Sequence, residues 1–276
     1  MVVFPNCKIN LGLHITGKRP DGYHELETVF YPVQLRDALE IVHASTEEPE
    51  GIRFTASGLP IPGNSTSNLC VKAYRLLKKD YPELPSIQMH LHKMIPMGAG
   101  LGGGSSDGAF ALKLLSNKFQ LPLHPDQLIQ YAAQLGSDCP FFILNQPCYG
   151  TGRGELLTPV ELDLSGYKFV LVHPGIHVST KWAFEQLTPA KSPRPITDIL
   201  QQPITQWKGE LVNDFEAPIL NAYPDIAAIK QALYQDGALY ASMSGSGSAV
   251  FGIYPAEQSI GIQEMINHPC HIIGNK

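Results

Sequence analysis

The order of strand-like and helix-like segments predicts an α+β fold. Residues 2–56 read as strands, the middle of the chain carries helical patterns, and the last third returns to helices followed by strands. A doubly wound sheet needs strict alternation of strands and helices, which is missing here, so α+β is favoured. With 276 residues the chain suits one large domain or two intimate ones. We place a domain boundary in the glycine-rich, strand-poor segment 150–154, which gives domains 1–154 and 155–276.

The chain opens on a predicted strand from Val2 to Ile15, in which Lys8 and Asn10 share the face opposite the apolar residues. Pro20-Asp21-Gly22 is a strong turn signal, so the returning strand begins near Tyr23 and comes close to the Lys8 face. Further strands are predicted at 28–35, 38–43, 51–56, 86–93, 167–173, 239–243 and 249–254. The strand 86–93 alternates apolar and polar residues and therefore has one wet face.

Apolar residues at helical spacing predict five helices, at about 68–79, 105–115, 125–135, 214–221 and 224–236. Gly136 follows the third of them and suits the left-handed position after a helix end. The segment 191–203 is rich in proline and is predicted to be an exposed connection.

Charge and cysteine content exclude several classes of protein. The net charge is −5 and the basic residues are scattered, unlike those of a general nucleic-acid binder. The five cysteines are widely separated and form no Cys-x-x-Cys pair, which predicts a reduced protein without structural zinc. Neither a signal peptide nor an apolar run of membrane-spanning length is visible. We therefore expect a cytoplasmic protein that acts on a small molecule, without nucleic-acid or membrane partners.

Residues 96–109, Pro-Met-Gly-Ala-Gly-Leu-Gly-Gly-Gly-Ser-Ser-Asp-Gly-Ala, carry the most functional information. Glycines let backbone N–H groups converge on an anion, and a helix beginning near Ser105 adds donors and the positive end of its dipole. The segment therefore predicts a site for nucleotide phosphates. A loop that only turns the chain is the alternative, but a simple turn needs only one or two glycines.

The kind of phosphate site is narrowed by what surrounds the loop. There is no Gly-Lys-Ser/Thr ending, so it is not a Walker A loop. Gly98-x-Gly100-x-x-Gly103 satisfies the dinucleotide fingerprint, but the preceding strand has a wet face. The nearest downstream acid, Asp126, lies at a helix start instead of a strand end. An NAD-dependent dehydrogenase remains as an alternative.

Phosphoryl transfer needs a phosphate cradle, a cation or metal, and a group that orients or deprotonates the acceptor. Lys8 is a candidate cation, with Asn10 beside it, although a lysine on a solvated strand face is the simpler interpretation. Asp138 follows a helix end and precedes a proline that should impose extended backbone, so its carboxylate is fixed; a cap aspartate is the alternative. Asp107, in the first turn of the loop helix, suits a structural role at least as well as magnesium or water binding.

Two further features have alternative interpretations. Residues 243–252 form a second Gly/Ser loop between two strands, which either approaches the first loop or the substrate or is a flexible hairpin tip. The pairs His90/His92 and His268/His271 suggest a metal, but neither has a third ligand nearby in sequence, so we predict no metal site from these histidines.

Four blocks in this order resemble the GHMP kinase superfamily: 5–13 with 19–26, then 96–109, 135–141 and 243–252. The Gly-Tyr-His segment and the long glycine-rich loop are similar to members that use ATP to phosphorylate the 2-hydroxyl of a cytidine diphosphate-linked methylerythritol, in non-mevalonate isoprenoid precursor biosynthesis. The resemblance implies a two-domain fold, with an N-terminal domain like the second domain of ribosomal protein S5 and a smaller α+β C-terminal domain. A monomer or weak homodimer is expected.

The resemblance also implies site residues. Asp138 would accept the proton of the substrate hydroxyl, Lys8 would orient Asp138 and stabilise developing charge, and Asn10 would assist. Tyr23 and His24 would recognise the cytosine, and Trp182 or, in our assignment, Phe184 would close the other face of the base. Magnesium would be required and would lie near Ser105 or Ser106. The implied ATP-binding residues are Pro96, Met97, Gly98, Ala99, Gly100, Leu101, Gly102, Gly103, Gly104, Ser105 and Ser106.

Gly108 departs from the related loops, which commonly have alanine there, and glycine should cost the helix up to about 1 kcal/mol. A kinase for homoserine or mevalonate is an alternative that Tyr23 and His24 disfavour. A nucleotide-binding sensor without catalysis is another, which the presence of both Lys8 and Asp138 disfavours.

Overall fold

The computed structural model describes residues 1–46, 48–192 and 194–274. The described chain divides into two compact units, each assembled from separate stretches of sequence. The first unit holds Met1–Cys7, Leu35–Met97 and Gly102–Gln146, and the second holds Lys8–Gln34, Gly98–Leu101 and Pro147–Lys276. A domain division between residues 154 and 155 stays a prediction.

The elements follow in chain order. The strands are β1 (Val2–Val3), β2 (Asn6–Lys18), β3 (His24–Arg36), β4 (Ala38–His43), β5 (Ile52–Gly58), β6 (Ile87–Lys93), β7 (Cys148–Thr151), β8 (Leu156–Pro159), β9 (Tyr167–Val172), β10 (Tyr240–Met243), β11 (Val250–Pro255) and β12 (Cys270–Gly274). The α-helices are α1 (Leu69–Asp80), α2 (Gly103–Lys118), α3 (Pro125–Leu135), α4 (Cys139–Leu144), α5 (Thr180–Glu185), α6 (Ile196–Leu200), α7 (Glu216–Ala222), α8 (Pro224–Gln235) and α9 (Ile262–Met265). Short 3-10 helices lie at Pro49–Gly51, Ser65–Ser67 and Ile204–Gln206.

The first unit is a four-stranded sheet of order β1-β4-β6-β5 with helices α1 to α4. β5 runs parallel to β6, and the other pairs are antiparallel. In β6, Ile87, Met89 and Leu91 are buried while the intervening side chains are more exposed, which confirms the predicted wet face. The Asn68 side chain caps α1 by accepting from the Cys70 N–H at 2.9 Å.

The packing of α1 against α2 explains the glycine at position 108. A Cβ at Gly108 would lie 2.8 Å from Leu69 Cβ and 3.5 Å from the Leu69 carbonyl oxygen. Because both atoms sit on or next to the α1 backbone, an added methyl group requires the helix to move. Helix propensity alone therefore does not account for this glycine, because its missing side chain permits the close packing of α1 and α2.

The second unit contains two sheets, of order β10-β11-β9-β12 and β2-β3-β7-β8, with residues 8–34 of β2 and β3 belonging to it. Its apolar core joins β2, β9, β10 and β11 to α5, α7, α8 and α9. β2 is buried from Asn6 to Ile15, so the face that carries Lys8 and Asn10 is covered as well. At Gly12 the backbone turns left-handed (φ 68°), where a Cβ would meet Leu211 at 2.7 Å.

Several predicted boundaries need correction. The opening strand is interrupted at Phe4-Pro5, where proline lacks the N–H of a ladder bond. Segment 150–154 is not strand-poor, since it forms the end of β7 and the turn into β8. Gly136 ends α3 with extended backbone (φ 169°), not in the left-handed region.

Segment 191–203 is not an exposed connection throughout. It contains α6, whose Ile196, Ile199 and Leu200 are buried. Pro193 in this segment lies outside the described residues. Within the ranges that the structure describes, none of the helices has both the length and the apolar character needed to cross a bilayer.

Candidate active site

The glycine-rich segment Gly98–Leu101, in the second unit, is anchored by its carbonyl groups. The Ser244 hydroxyl donates to the Gly100 carbonyl at 2.9 Å, and the Ala249 N–H donates to the Ala99 carbonyl at 3.1 Å. The Lys8 N–H donates to the Leu101 carbonyl at 3.0 Å. The second Gly/Ser loop therefore does approach the first, as one of the two sequence interpretations held.

The close contact between the two loops requires glycine at position 100. Its φ is +80°, and a Cβ there would lie 1.9 Å from the Ser244 carbonyl oxygen. Only glycine allows the two backbone segments to meet at this point.

Asn213 supports the second loop and was missed by the sequence analysis. Its fully buried amide donates to the Met243 and Gly245 carbonyls at 2.8 and 2.9 Å. Three residues on, the Glu216 carboxylate accepts from the Met243 N–H at 2.8 Å. The local sequence signal for this residue is the Asn-Asp-Phe-Glu run at a helix start, in which polar residues stand on both sides of an aromatic residue that is buried in the structure.

Lys8 and Asn10 form a buried polar chain on β2. The Lys8 ammonium donates to Asn10 Oδ1 at 2.8 Å and lies 5.1 Å from the centroid of the Phe30 ring. Asn10 Nδ2 donates to Thr28 Oγ1 at 3.0 Å, and that hydroxyl donates to the Gly12 carbonyl at 2.6 Å. Lys8 is 4% exposed, so its charge is held in a fixed position and is poorly screened by water. Thr28, absent from the sequence candidates, orients the amide.

In the first unit, helix α2 begins at Gly103, two residues earlier than predicted. Its N-cap is Gly102 in left-handed conformation (φ 69°, ψ 15°), which offers no side chain to cap the first-turn N–H groups. Ser106 is fully buried, and its hydroxyl has no hydrogen-bond partner among the residues that the structure describes. The helix start thus combines backbone N–H donors, which suit an anion at a helix N-terminus, with one unsatisfied buried hydroxyl.

Asp138, also in the first unit, is the N-cap residue of α4, a six-residue helix that the sequence analysis missed. Its backbone is helical (φ −84°, ψ −14°), so the predicted extended conformation is wrong. Proline is tolerated in the first turn of a helix, because the N–H that it lacks has no acceptor there, and Pro140 occupies that turn. Asp138 is partly exposed.

Cys139, the next residue, is buried and its thiol is free. Burial raises the pKa of its thiol to about 12, against the opposing effect of a hydrogen bond with Ser105. That bond links the beginning of α4 to the first turn of α2.

The predicted base-binding residues lie in the second unit, and the structure brings two of them together. The His24 and Phe184 rings stack with centroids 4.6 Å apart and planes 16° apart. Phe184 also meets the edge of Phe215 at 4.9 Å, whereas Trp182 packs on Tyr223. No third ring fits between His24 and Phe184 at this separation.

Tyr23 is more exposed to solvent than the two stacked rings. Its side chain is 56% exposed, and the Arg153 guanidinium lies 4.8 Å from its ring centroid. Arg153 was not among the sequence candidates, since an arginine between two glycines resembles an ordinary turn residue.

The structure assigns other partners to the histidine pair on β6. The Ser57 hydroxyl lies 2.9 Å from His90 Nε2 and 2.9 Å from His92 Nδ1, and Thr55 Oγ1 lies 2.8 Å from His90 Nδ1. Within the part of the chain that the structure describes, no group of three His, Cys, Asp or Glu side chains could hold a metal ion.

A glycine-rich loop that runs into a helix N-terminus, on this α+β scaffold, defines a GHMP kinase. The family model described as GHMP kinases N terminal domain matches residues 68–146, and the one described as GHMP kinases C terminal matches residues 200–271. The chain belongs to the 4-diphosphocytidyl-2-C-methyl-D-erythritol kinases within that class. It is 52% identical over 255 residues to the kinase of that name from Azobacteroides pseudotrichonymphae genomovar. CFP2, covering 92% of this chain and 93% of the relative. A Bacteroides fragilis relative of the same name is 51% identical over 260 residues, covering 94% of each chain.

Solved structures agree with this assignment. A crystal structure of 4-(cytidine 5'-diphospho)-2C-methyl-D-erythritol kinase superposes with a TM-score of 0.82 at 30% identity, covering 100% of both chains. The Methanococcus jannaschii mevalonate kinase has a TM-score of 0.74 at 15% identity, covering 99% of this chain and 96% of that one, and it shares the fold. The α+β, two-domain GHMP kinase fold predicted from the sequence is confirmed.

Proposed function

We propose that this enzyme transfers the γ-phosphoryl group of ATP to the 2-hydroxyl of 4-diphosphocytidyl-2-C-methyl-D-erythritol, in non-mevalonate isoprenoid precursor biosynthesis. The observation that carries the proposal is the anchored glycine-rich segment leading into the uncapped start of α2. The curated relatives, which are about half identical over more than nine tenths of the chain, support the choice of acceptor.

The phosphates of ATP are bound mainly by backbone groups of residues 96–106. The carbonyls of residues 99 to 101 are engaged with their own unit, so we assign the N–H groups of the segment and of the first turn of α2 to the phosphate oxygens. Bound Mg²⁺ would neutralise phosphate charge during the transfer. The unsatisfied Ser106 hydroxyl suits such a hard cation, because magnesium prefers oxygen ligands.

Lys8 and Asp138 are assigned the two charged roles. The buried Lys8 ammonium, fixed by Asn10, stabilises negative charge that develops on the transferred group. Asp138 accepts the proton of the acceptor hydroxyl and orients that oxygen for in-line attack. The polar chain on β2 fixes the Lys8 side chain, and the N-terminus of α4 fixes the backbone from which the Asp138 carboxylate extends.

Tyr23, His24 and Phe184 are assigned to the cytosine. Aromatic rings suit a flat base, and His24 can hydrogen-bond to its polar edge. His24 and Phe184 stack directly on each other. A base can therefore bind to this face of Phe184 only if the His24 ring turns away. A cytoplasmic location and a monomeric or weakly dimeric state remain predictions.

The test is ADP release with ATP, magnesium and a panel of alcohols that includes the cytidylylated methylerythritol, mevalonate and homoserine. We expect release with the cytidylylated compound only, and release with mevalonate alone would replace the proposed acceptor. Asp138→Asn should lower kcat by about 10²- to 10⁴-fold, the usual contribution of a general base, with little change in ATP affinity. Asp126→Asn, at an exposed carboxylate in the first turn of α3, is the control and should match the wild type. Near-normal turnover of the Asp138 variant would remove that residue from the mechanism.

A further inference from the structure

We propose that Lys93, Asp37 and Asp107, here named the buried ion cluster, are positioning residues that hold the glycine-rich segment 96–102 ready for nucleotide phosphates. This inference rests on the proposed function, because it assigns the segment to ATP. All three residues belong to the first unit, and none of them contributed to the predicted catalytic machinery.

The cluster has one cation between two carboxylates. Lys93 Nζ donates to Asp37 Oδ2 and, at 2.7 Å, to Asp107 Oδ2. The three side chains are at most 4% exposed. Asp37 Oδ1 also accepts from the backbone N–H groups of Met94 and Ile95, at 2.5 and 2.8 Å. The cluster therefore fixes side chains and backbone together.

Along the chain, Lys93 precedes the glycine-rich segment and Asp107 follows it. Lys93 ends β6, the Asp37 contacts reach Ile95, and Pro96 begins the segment; Asp107 lies in the second turn of α2, which leaves it. Between these anchors, Gly98, Gly100 and Gly102 all have left-handed backbone, so the segment has little intrinsic conformational restraint. A clamp on its entry and exit lowers the entropy that phosphate binding would otherwise have to remove.

The buried ion cluster also packs against the first residue of α2. A Cβ at Gly103, the first residue of α2, would lie 3.0 Å from Lys93 Nζ and 2.8 Å from Ile95 Cγ2. The ammonium is thus packed against the turn whose N–H groups we assign to phosphate. A shift of Lys93 would be transmitted directly to that turn.

Stability alone does not require these charges. Replacing a buried ion network with apolar residues of similar volume is often neutral or stabilising, because desolvation offsets the attraction. Burial opposes the charge on Lys93, but Asp107 and Asp37 outweigh it and raise the pKa of Lys93, which keeps the ammonium protonated. A charged network at the two ends of a phosphate loop is better explained by positioning.

The two carboxylates differ in the hydrogen bonds that they accept. Asp37 accepts from Lys93 and from two backbone N–H groups, whereas Asp107 accepts from Lys93 and shares a hydrogen bond with the Asp37 side chain. Among the described residues, the buried Oδ1 of Asp107 has no hydrogen-bond partner. Burial raises the pKa of Asp107 well above its usual range, although the Lys93 ammonium opposes the rise. Because Lys93 donates to one oxygen of Asp107, which the amide oxygen of an asparagine can replace, an asparagine at position 107 should preserve the clamp.

The experiment compares Lys93→Met, Asp107→Asn and Asp107→Ala with the wild type. Leu77→Ala, which opens a cavity in α1 of the same unit, controls for general destabilisation. The measurements are ATP affinity by calorimetry, kcat, KM for the acceptor alcohol, and hydrogen exchange of the amides of residues 98–104 without nucleotide.

Lys93→Met should weaken ATP binding by about tenfold or more and lower kcat, with faster exchange of the loop amides and an unchanged KM for the acceptor. Asp107→Asn should stay within about threefold of the wild type, and Asp107→Ala should resemble Lys93→Met. Leu77→Ala should lose stability but keep its ATP affinity.

A folded Lys93→Met variant with wild-type ATP affinity and loop exchange would overturn the inference, and so would equal affinity losses in Lys93→Met and Leu77→Ala. If Lys93→Met does not fold, the Asp107 pair decides, since indistinguishable asparagine and alanine variants contradict the clamp. Failure of the wild type to bind ATP would contradict the proposed function instead. The exchange experiment would still test the clamp, because it uses no nucleotide.

Discussion

Replacing Gly100 with alanine should disable the nucleotide site. The new Cβ would lie 1.9 Å from the Ser244 carbonyl oxygen, and real Cβ atoms essentially never come within 3.0 Å of such an atom, so the two backbones must separate by at least 1.1 Å. The left-handed backbone (φ 80°) adds roughly 1–2 kcal/mol of strain for a residue with a Cβ. A displacement of about 1 Å in a positioning element can cost about 10²-fold in rate.

The assay is the kcat/KM for ATP, measured by ADP release with the cytidylylated methylerythritol as acceptor. Gly100→Ala should lower it by about 10²-fold, which corresponds to about 2.7 kcal/mol of lost transition-state stabilisation. Gly166→Ala is the control, because Gly166 lies outside the glycine-rich segment and an added Cβ there would meet nothing within 4 Å. If Gly100→Ala kept more than about a third of the wild-type kcat/KM, a contact-fixed loop could not be the basis of phosphate binding.

Three further predictions concern single residues. Gly108→Ala should destabilise the fold by about 1–3 kcal/mol in urea unfolding, because overpacking against Leu69 outweighs the gain in helix propensity; a more stable variant would contradict this. Phe184→Ala should raise the KM for the cytidylylated acceptor by about tenfold and leave the KM for ATP unchanged, whereas Trp182→Ala should change neither KM. If both variants changed the KM for the acceptor equally, Phe184 would be removed from the base site. The raised pKa of Asp107 means that the folded chain holds its proton more tightly than the unfolded chain, so wild-type stability falls as pH rises above the ordinary aspartate range. The free energy of unfolding of Asp107→Asn relative to the wild type should therefore increase as the pH rises above the ordinary aspartate range, and a difference that stays constant with pH would contradict the shift.

Regular periodicity made most of the fold predictable. The strand at 38–43 and the helix at 125–135 were predicted at their observed bounds, because each carries a clear residue pattern and clear end signals. Helices α4 and α6, of six and five residues, are too short for a periodic pattern and are held by burial. Contacts from distant parts of the chain decide such elements.

The candidate site shows the same division. The glycine-rich segment was found because its composition has few other uses, whereas Asn213 and Thr28 act through contacts with residues far away in sequence. Lys93 did carry a local signal. It continues the every-second-residue series Ile87, Met89 and Leu91, so the alternation placed a charged side chain on the buried face of β6. A lysine in an apolar register is a reason to look for buried carboxylates.

The composition of the two units has a practical consequence for dissecting this enzyme. The backbone passes from one unit to the other within β2, near the end of β3, on both sides of residues 98–101 and again after residue 146. A single cut cannot separate the two units: a cut after residue 146 leaves a C-terminal fragment that belongs wholly to the second unit, but the N-terminal fragment then holds residues 8–34 and 98–101 of the second unit together with the first. Expression of half-molecules is therefore a poor route to a free-standing ATP-binding fragment, and intact chains with point substitutions are the suitable material for separating the contributions of the two units.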